Sequence, residues 1–274
     1  MKGEAMTEHS PLRRAFREHG KVADCPVYDM HGHMGPWRAI YMPYNDVDSM
    51  VRRMELAGVK LLVFSHHSSL SSADLANTEN IRDVRRHPDR LRAYCSINPN
   101  YPDFVERDLR EYDRHADVFV GLKLHPDIHG VPMSSDKYRY ALSFANERGL
   151  PVLSHTWGGS SCDGKAEVEA VARRYPRIKL FLGHSLHDRW SEATEVARSF
   201  DNVYLELTAV PDERTGVIER FVREAGSRKV LFGTDFPWFS HHYYIGAVLA
   251  ADITDDERRD IFYRNAERLL GIAR

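Results

Sequence analysis

Two histidines separated by one glycine end a short apolar run near the amino terminus, VYDMHGH at residues 27–33. If residues 27–31 form a strand, side chains alternate between its two faces, and His31 and His33 then point to the same side. Two imidazoles on one side can bind a single metal ion. A polar loop that happens to contain two histidines would have the same sequence, so the interpretation as a metal site requires further ligands from elsewhere in the chain.

Further residues of metal-ligand or proton-transfer type follow other apolar runs. In chain order they are His66, Lys123, His125, His155, His184 and Asp235. Histidine is frequent, at 15 of 274 residues, but most of these side chains could lie on the surface. Their position at the ends of apolar runs is therefore the informative feature, and it matters only in a fold that brings these ends together.

Composition and charge favour a small-molecule partner. The chain has 38 basic and 40 acidic side chains, a formal net charge of −2. This balance predicts neither a basic surface for nucleic acid nor an acidic tail. Cys25, Cys95 and Cys162 are widely separated and form no CxxC pair, which predicts neither a disulfide framework nor a cysteine metal site.

The hydropathy of the chain favours a cytoplasmic protein without a membrane partner. No stretch approaches the roughly 18 continuous apolar residues that a membrane span needs. The first 26 residues are too polar for a signal peptide. A reducing compartment also fits the three isolated cysteines.

Short apolar runs alternate with segments of helical periodicity along the chain. The runs cover residues 27–31, 59–64, 91–97, 118–124, 151–155, 178–182, 203–207 and 229–232. The helical segments between and after them cover residues 46–57, 72–86, 103–115, 136–148, 164–174, 190–199, 211–225, 241–251 and 255–270. This alternation predicts an α/β fold, a (β/α)8 TIM barrel.

A doubly wound open sheet would show a similar alternation. If it bound a dinucleotide, such a sheet would carry GxGxxG after its first strand, whereas this chain has HGHMG there. We therefore predict one barrel domain over residues 27–274, preceded by an extension of residues 1–26 with a short helix at 12–19. The carboxyl ends of the strands share one face of a barrel, where the histidines would meet.

Taken together, the motifs at these strand ends resemble a known family. They are DMHGH, GLKLHP, LSHT, LGHS and GTDFPW, followed by YRNAERLLG. In this order they are similar to the amidohydrolase superfamily. More narrowly, they resemble the amidohydrolase-related branch (amidohydrolase family 2), which includes aminocarboxymuconate-semialdehyde and resorcylate-type decarboxylases. The resemblance spans residues 27–271 and implies a metal-dependent barrel enzyme.

The resemblance implies a set of ligands and two catalytic residues. The metal ligands would be His31, His33, His155 and Asp235, a donor set that suits Zn²⁺ and leaves positions for water and substrate. Asp235 would also be the general base that accepts a proton from metal-activated water. His184 would contact water or substrate in a mononuclear site, or bind a second ion in a binuclear one.

The fourth strand leaves the number of ions open. Binuclear relatives carry a carboxylated lysine there, which would make Lys123 a bridging ligand, with His155 and His184 on the second ion. Alternation in GLKLHP puts Lys123 and His125 on one face, so either could point inward. Lys123 could instead stay an unmodified amine that pairs with Asp235 or with a substrate carboxylate. The decarboxylase-like branch usually has no ligand at this position, so we expect one Zn²⁺, with a second ion as the alternative.

Four further residues are candidates for substrate binding, each with a structural role as the alternative. Arg38 lies in the loop after the first strand and could bind a carboxylate, and His66 could contact substrate or solvent. Trp157 and Trp238 could form walls of a pocket, since ligand sites favour aromatic side chains, or could pack beneath loops.

These residues predict hydrolysis of a small amide, ester or lactone by metal-activated water. The alternative is metal-dependent non-oxidative decarboxylation of an unsaturated or aromatic carboxylic acid, with His184 or Asp235 transferring a proton. A third reading is a non-catalytic metal-binding scaffold, which would have a closed four-ligand site. Analogy with relatives also suggests a homodimer. The sequence does not identify the substrate.

Overall fold

Eight parallel strands form a (β/α)8 barrel, which confirms the predicted fold. The computed structural model describes residues 10–272 except 23, 72–74 and 213. The strands are β1 (Val27–Met34), β2 (Val59–His66), β3 (Leu91–Ile97), β4 (Phe119–Leu124), β5 (Pro151–Trp157), β6 (Lys179–His187), β7 (Val203–Glu206) and β8 (Val230–Leu231). Each strand pairs in parallel with the next one along the chain.

The barrel closes between β1 and the segment that follows β8. Asp235 N donates a hydrogen bond to His31 O at 2.7 Å, and His33 N donates to Phe236 O at 2.7 Å. These bonds hold the segment after β8 against the carboxyl-terminal half of β1. Residues from the first and last strands of the chain are therefore neighbours.

Helices cover the outside of the barrel. They are α1 (Pro11–His19), α2 (Val47–Ala57), α3 (Ala76–Arg86), α4 (Pro102–Glu111), α5 (Pro126–His129), α6 (Arg139–Arg148), α7 (Lys165–Arg174), α8 (Trp190–Ser199), α9 (Val217–Ala225), α10 (His241–Ala250), α11 (Asp255–Arg259) and α12 (Asn265–Leu270). None of the helices within the described ranges combines the length and the hydrophobicity of a membrane span.

Local sequence signals set the ends of the helices, as α2 illustrates. Asp46 precedes the helix, and its carboxylate accepts a hydrogen bond from Ser49 N at 3.0 Å, which satisfies a free donor of the first turn. Gly58 follows the helix with a φ of +75°, a left-handed conformation that glycine adopts without steric cost. Met50 and Met54 lie on the buried face, so the helical periodicity matches its packing.

Four strands extend beyond their predicted ends. β1 and β2 end at Met34 and His66, and β5 and β6 end at Trp157 and His187. The prediction followed continuous apolar runs, which mark strands that are covered on both faces. The extra residues are mostly polar because they reach the carboxyl end of the barrel, and apolarity does not reveal them.

Three predicted helices differ in extent. The helix predicted at 211–225 begins only at Val217, after Gly216 with its φ of +85°. The segment 255–270 is interrupted by a π-helical turn, Asp260–Arg264, in which three consecutive residues from Ile261 are buried, a pattern that a regular α-helix face does not accommodate. The helix predicted at 72–86 is observed from Ala76, and residues 72–74 lie outside the described residues.

Helix α1 packs on the carboxyl-terminal end of α10. Arg13 Nε donates to Leu249 O at 2.5 Å, and Arg13 Nη2 donates to Ala251 O at 3.0 Å. A guanidinium at this place supplies donors to carbonyls that have no partner within the helix. The short helix predicted at 12–19 corresponds to α1, which is attached to the last helices of the barrel.

Gly121 in β4 lies too close to β5 for any larger residue. A Cβ atom at this position would lie 2.3 Å from Pro151 O. We expect Gly121→Ala to lower the free energy of unfolding by about 1–3 kcal/mol, because β4 and β5 must separate to admit a methyl group. Gly159→Ala is the control, since a Cβ there meets no atom within 4 Å. Urea denaturation measures both variants, and equal stabilities would contradict the close packing of β4 on β5.

Candidate active site

Two histidines of β1 and the aspartate after β8 meet at the carboxyl end of the barrel. His33 Nε2 lies 3.1 Å from Asp235 Oδ1, and His31 Nε2 lies 3.4 Å from the same oxygen. One ligand atom from each residue lies within 4.8 Å of the others, and all three residues are buried. We call His31, His33 and Asp235 the His–Asp cluster.

Glu206 determines which nitrogen of His31 carries the hydrogen. Its Oε2 atom lies 3.1 Å from His31 Nδ1, and a carboxylate only accepts, so Nδ1 is the donor. The lone pair of His31 is then on Nε2, the nitrogen that faces Asp235. Burial lowers the pKa of His31 well below its usual value, and the charge of Lys123 lowers it further. His31 is therefore a neutral imidazole with its lone pair directed into the cluster.

A backbone carbonyl orients His33 in the same way. Its Nδ1 atom lies 3.1 Å from Ser65 O, which only accepts, so Nδ1 is the donor and a neutral ring directs its Nε2 lone pair towards Asp235 Oδ1. That carboxylate oxygen is buried and has no hydrogen-bond partner in the described part of the chain. Two lone pairs and a carboxylate oxygen repel one another unless a positive charge lies between them. The cluster thus fits a divalent ion, with a second group holding each imidazole.

Lys123 reaches the cluster from β4. Its Nζ atom lies 2.7 Å from His31 Nε2, and the residue is 2% exposed. Burial lowers the pKa of Lys123 to about 8, while the charges of Asp235 and Glu206 oppose this change. The amine is therefore mostly protonated at pH 7. It contacts the lone pair that an ion would use, so a metal at this atom requires the amine to move away or to be modified.

The alternation predicted for β4 is observed. Lys123 contacts the cluster, and the ring of His125 stacks on His155 with centroids 4.1 Å apart. Leu122 and Leu124, on the opposite face, are fully buried. Both candidate residues of the fourth strand therefore point inward.

His155, the predicted third histidine ligand, lies beside the three atoms of the His–Asp cluster and is not one of that group. Its Nδ1 atom is 2.9 Å from Asp163 Oδ2, which leaves Nε2 as the nitrogen with the lone pair. The ring centroids of His155 and His184 are 4.8 Å apart. Asp163 is fully buried, but it lies in the loop after β5, where no pattern in the sequence distinguishes it from other loop acids.

His184 lies between the cluster and His155. Its ring centroid is 5.3 Å from that of His31, and its buried Nδ1 atom has no hydrogen-bond partner among the described residues. It is the first of three consecutive residues with left-handed φ angles, 184–186, a conformation that is uncommon outside glycine and concentrates at functional sites. Burial and the neighbouring His155 lower the pKa of His184 well below its usual value. This neutral imidazole therefore has a nitrogen available to a ligand.

The carboxylate of Glu206 accepts four hydrogen bonds beneath the cluster. The donors are His31 Nδ1, His184 N at 3.2 Å, Thr208 N at 2.7 Å and Thr208 Oγ1 at 2.5 Å. Burial raises the pKa of Glu206 to about 7, although the bonds from Thr208 oppose this rise. The only sequence feature that points to Glu206 is that it is the single acidic residue in the apolar run VYLEL, residues 203–207.

An aromatic cleft of about 270 Å³ opens above the cluster. Both predicted tryptophans, Trp157 and Trp238, line it, and Trp157 lies nearly parallel to the ring of His155 at 5.7 Å. The full lining is Trp37, His67, Leu70, His125, Ile128, His155, Trp157, His184, Ala209, Asp235, Trp238 and Phe239. A cleft of this size and lining suits a small, flat organic molecule.

His67 supports this cleft from behind the cluster. Its ring stacks on His33 with centroids 4.9 Å apart. Its Nε2 accepts a hydrogen bond from Trp238 Nε1 at 2.9 Å, and its Nδ1 donates to Gly35 O at 2.7 Å. Burial, together with the nearby His33, lowers the pKa of His67 to about 3. His67 was not among the predicted site residues, and the structure places it in the wall of the cleft.

His66 and Arg38 lie away from the cluster. His66 Nδ1 is 3.1 Å from Glu79 Oε2, and its Nε2 is 3.6 Å from Asp83 Oδ2, so the ring faces helix α3. Arg38 is exposed and lines a second cavity of about 560 Å³, together with His66. The two cavities share four lining residues, Trp37, His67, Leu70 and Ile128. The structure therefore does not bring these two predicted substrate-binding residues into the cleft above the cluster.

Comparison with protein families gives one match that covers most of the chain. Residues 28–272 match the family model described as Amidohydrolase. No curated protein matches this chain in sequence.

Solved structures share the fold at low sequence identity. A 2,6-dihydroxybenzoate decarboxylase complexed with 2,6-dihydroxybenzoate superposes with a TM-score of 0.76 at 14% identity, covering 90% of this chain and 99% of that one. A 5-carboxyvanillate decarboxylase from Sphingomonas paucimobilis has a TM-score of 0.74 at 13% identity, covering 91% and 100%. A dihydroxybenzoic acid decarboxylase from Polaromonas, with bound manganese and the inhibitor 2-nitroresorcinol, superposes with a TM-score of 0.73 at 15% sequence identity. The match covers 91% of this chain and 98% of that one.

The contacts of Glu206 predict the effect of removing its charge. In Glu206→Gln the amide NH₂ group would face hydrogen-bond donors, because all four partners of the carboxylate donate. We expect a 10–100-fold loss of affinity for a divalent ion, since His31 loses the group that orients it. Titration calorimetry with Zn²⁺ measures this change. Glu195→Gln, at an exposed position on α8, is the matched control, and wild-type affinity in Glu206→Gln would contradict the role of this contact.

Proposed function

The chain belongs to the amidohydrolase family, and from this premise we propose that it is a metal-dependent non-oxidative decarboxylase of a small aromatic or unsaturated carboxylic acid. The observation that carries the proposal is the aromatic cleft directly above the His–Asp cluster. A flat acid fits between indole rings with its charged oxygens towards the cluster.

The similar structures support decarboxylation over hydrolysis, which reverses the order predicted from the sequence. Three of them carry names that state decarboxylation of 2,6-dihydroxybenzoate, 5-carboxyvanillate and dihydroxybenzoic acid. All three substrates are flat aromatic acids, which agrees with the lining of the cleft.

His31, His33 and Asp235 would hold the metal ion, and His155 would join them as the family resemblance implies. When bound, a divalent ion supplies positive charge that binds and polarises substrate oxygens. Imidazole and carboxylate donors suit zinc, the ion predicted from the sequence, and carboxylate donors also suit manganese. Manganese is bound in the Polaromonas decarboxylase. We therefore propose a divalent ion, with zinc and manganese as the two candidates.

The protein must also supply a proton. In the proposed reaction the bond between the substrate carbon and its carboxylate breaks, CO₂ leaves, and the carbon retains the electron pair and takes up a proton. We assign the proton transfer to His184, because Asp235 is assigned to the ion and His184 has a nitrogen without a partner in the described part of the cleft. An anionic substrate beside His184 raises the pKa of the imidazole and so allows it to carry the proton that it donates.

Hydrolysis of an amide, ester or lactone is the second candidate, and the position of Lys123 favours it. The amine lies 2.7 Å from His31 Nε2, in the region where a binuclear site would have its bridging lysine. His184 offers a nitrogen for a second ion. Two ions per chain would favour metal-activated water as the nucleophile.

Release of CO₂ tests the proposed reaction. We expect the metal-loaded protein to release one CO₂ per molecule of a hydroxybenzoate or unsaturated acid consumed, and to leave one deuterium on the product in D₂O, because a solvent-derived proton replaces the carboxylate. Removal of the ion with a chelator should abolish turnover, and Mn²⁺ or Zn²⁺ should restore it. His33→Ala, which lacks a cluster ligand, is the inactive control.

The opposite result is equally specific. The protein is assayed in water labelled with oxygen-18 against amides, esters and lactones. If it cleaves one of them and the product acid contains oxygen-18, while none of the tested hydroxybenzoates and unsaturated acids yields CO₂, the protein is a hydrolase and the proposed decarboxylation is wrong.

Metal content per chain tests the number of ions. We expect about one ion in the wild type, no ion in His31→Ala, and one ion in Lys123→Ala, because the lysine amine is a neighbour of the ion and not its ligand. Elemental analysis of the three purified proteins measures this. Two ions in the wild type, of which Lys123→Ala loses one, would contradict the mononuclear site and support hydrolysis.

A further inference from the structure

We propose that Asp29, Thr234 and His241 are positioning residues that hold Asp235 in place to bind the ion. They form a buried hydrogen-bonded network behind the cluster, which we call the Asp29 network. The inference rests on the metal site of the proposed function. It assigns a role to three residues that were not among the predicted site residues.

Asp29 joins the two chain segments that supply the cluster. Its Oδ1 accepts hydrogen bonds from His31 N at 3.1 Å and from Thr234 N at 3.2 Å. The first donor belongs to β1 and the second to the segment after β8. One fully buried carboxylate oxygen therefore fixes the distance between the backbone of a cluster histidine and the residue before Asp235.

Thr234 extends the network to both sides of Asp235. Its hydroxyl donates to Asp29 Oδ2 at 2.5 Å and accepts a hydrogen bond from Phe236 N at 3.1 Å. Asp235 lies between these two anchored residues and has a φ of +59°. A non-glycine residue keeps this left-handed conformation only when its surroundings enforce it. The network provides that constraint.

His241 completes the network from α10. Its Nε2 lies 3.0 Å from Asp29 Oδ2, and the residue is 2% exposed. Its ring stacks on Phe236 with centroids 4.3 Å apart. The sequence indicated only that His241 begins a helix, which it does. Its ring also contacts both the carboxylate of Asp29 and the side chain of Phe236, the residue that follows Asp235.

Asp235 needs this support because the sheet does not extend to it. β8 ends at Leu231, and Asp235 lies beyond it on a segment held by the bond from its own N–H to His31 O. Together with the bond from His33 N to Phe236 O, this bond fixes the backbone but not the direction of the side chain. The Asp29 network fixes the residues on either side, and thereby the direction in which the carboxylate points.

Metal affinity tests the network without any substrate. We expect Thr234→Val and His241→Phe to weaken Zn²⁺ affinity by 10–100-fold, as loss of an outer hydrogen bond does at other metal sites. Both variants keep the shape of the side chain, and the phenyl ring preserves the stack on Phe236. Thr234→Ser retains the hydroxyl and should bind within about threefold of the wild type. Competition with a chromophoric chelator measures affinity, and calorimetric scanning of the metal-free proteins measures stability.

Asn265→Ala separates positioning from general stability. Asn265 Nδ2 donates to Val230 O at 2.8 Å, at the opposite end of β8, and this residue is as buried as the network. We expect this control to lower Tm and leave Zn²⁺ affinity unchanged. If Thr234→Val and His241→Phe lower Tm but leave Zn²⁺ affinity unchanged, as expected for Asn265→Ala, the positioning role is wrong. It is also wrong if Thr234→Ser binds Zn²⁺ as weakly as Thr234→Val does. A wild type that binds neither Zn²⁺ nor Mn²⁺ would instead overturn the proposed metal site itself.

Discussion

The mutual repulsion of three buried ligand atoms is the constraint on which the site depends. Two imidazole nitrogens and one carboxylate oxygen face each other inside the barrel, an arrangement that is unfavourable without a cation. The amine of Lys123, which is mostly protonated at pH 7, contacts one of these atoms, His31 Nε2. Other contacts hold this arrangement together: Glu206 and the Ser65 carbonyl orient the two imidazoles by their other nitrogens. The folded protein therefore holds the three side chains in this arrangement before any ion binds, at a cost to its stability. An ion that enters the site would meet side chains that are already oriented.

The contacts that close the barrel also bring the residues of the His–Asp cluster together. The bond from Asp235 N to His31 O both joins the last strand segment to the first strand and brings two cluster residues together. The cluster residues come from opposite ends of the chain, so no local segment contains the site. Damage to the closure would therefore be expected to affect metal binding before it affects the more distant strand pairs, which are held by regular ladders.

The sequence predicted the barrel and most residues at its carboxyl end, because alternation and apolar runs reflect burial directly. It could not predict which ring nitrogen of a histidine is free, since that depends on partners such as Ser65 O and Asp163, which are distant in sequence. It also gave no basis for separating His67, which lines the cleft, from His66, which faces α3. Adjacent residues at the end of a strand point in different directions, and the loop that follows decides where each ring packs.

The aromatic lining of the cleft has a practical consequence. Three of the four tryptophans of the chain, Trp37, Trp157 and Trp238, line it. The fourth, Trp190, contacts His187, whose ring stacks on Trp157 at 3.8 Å. Nearly all of the intrinsic fluorescence of the protein therefore originates at or beside one cleft. Its emission is a built-in optical signal for occupancy, which allows compounds to be screened for binding before any of them is known to be turned over.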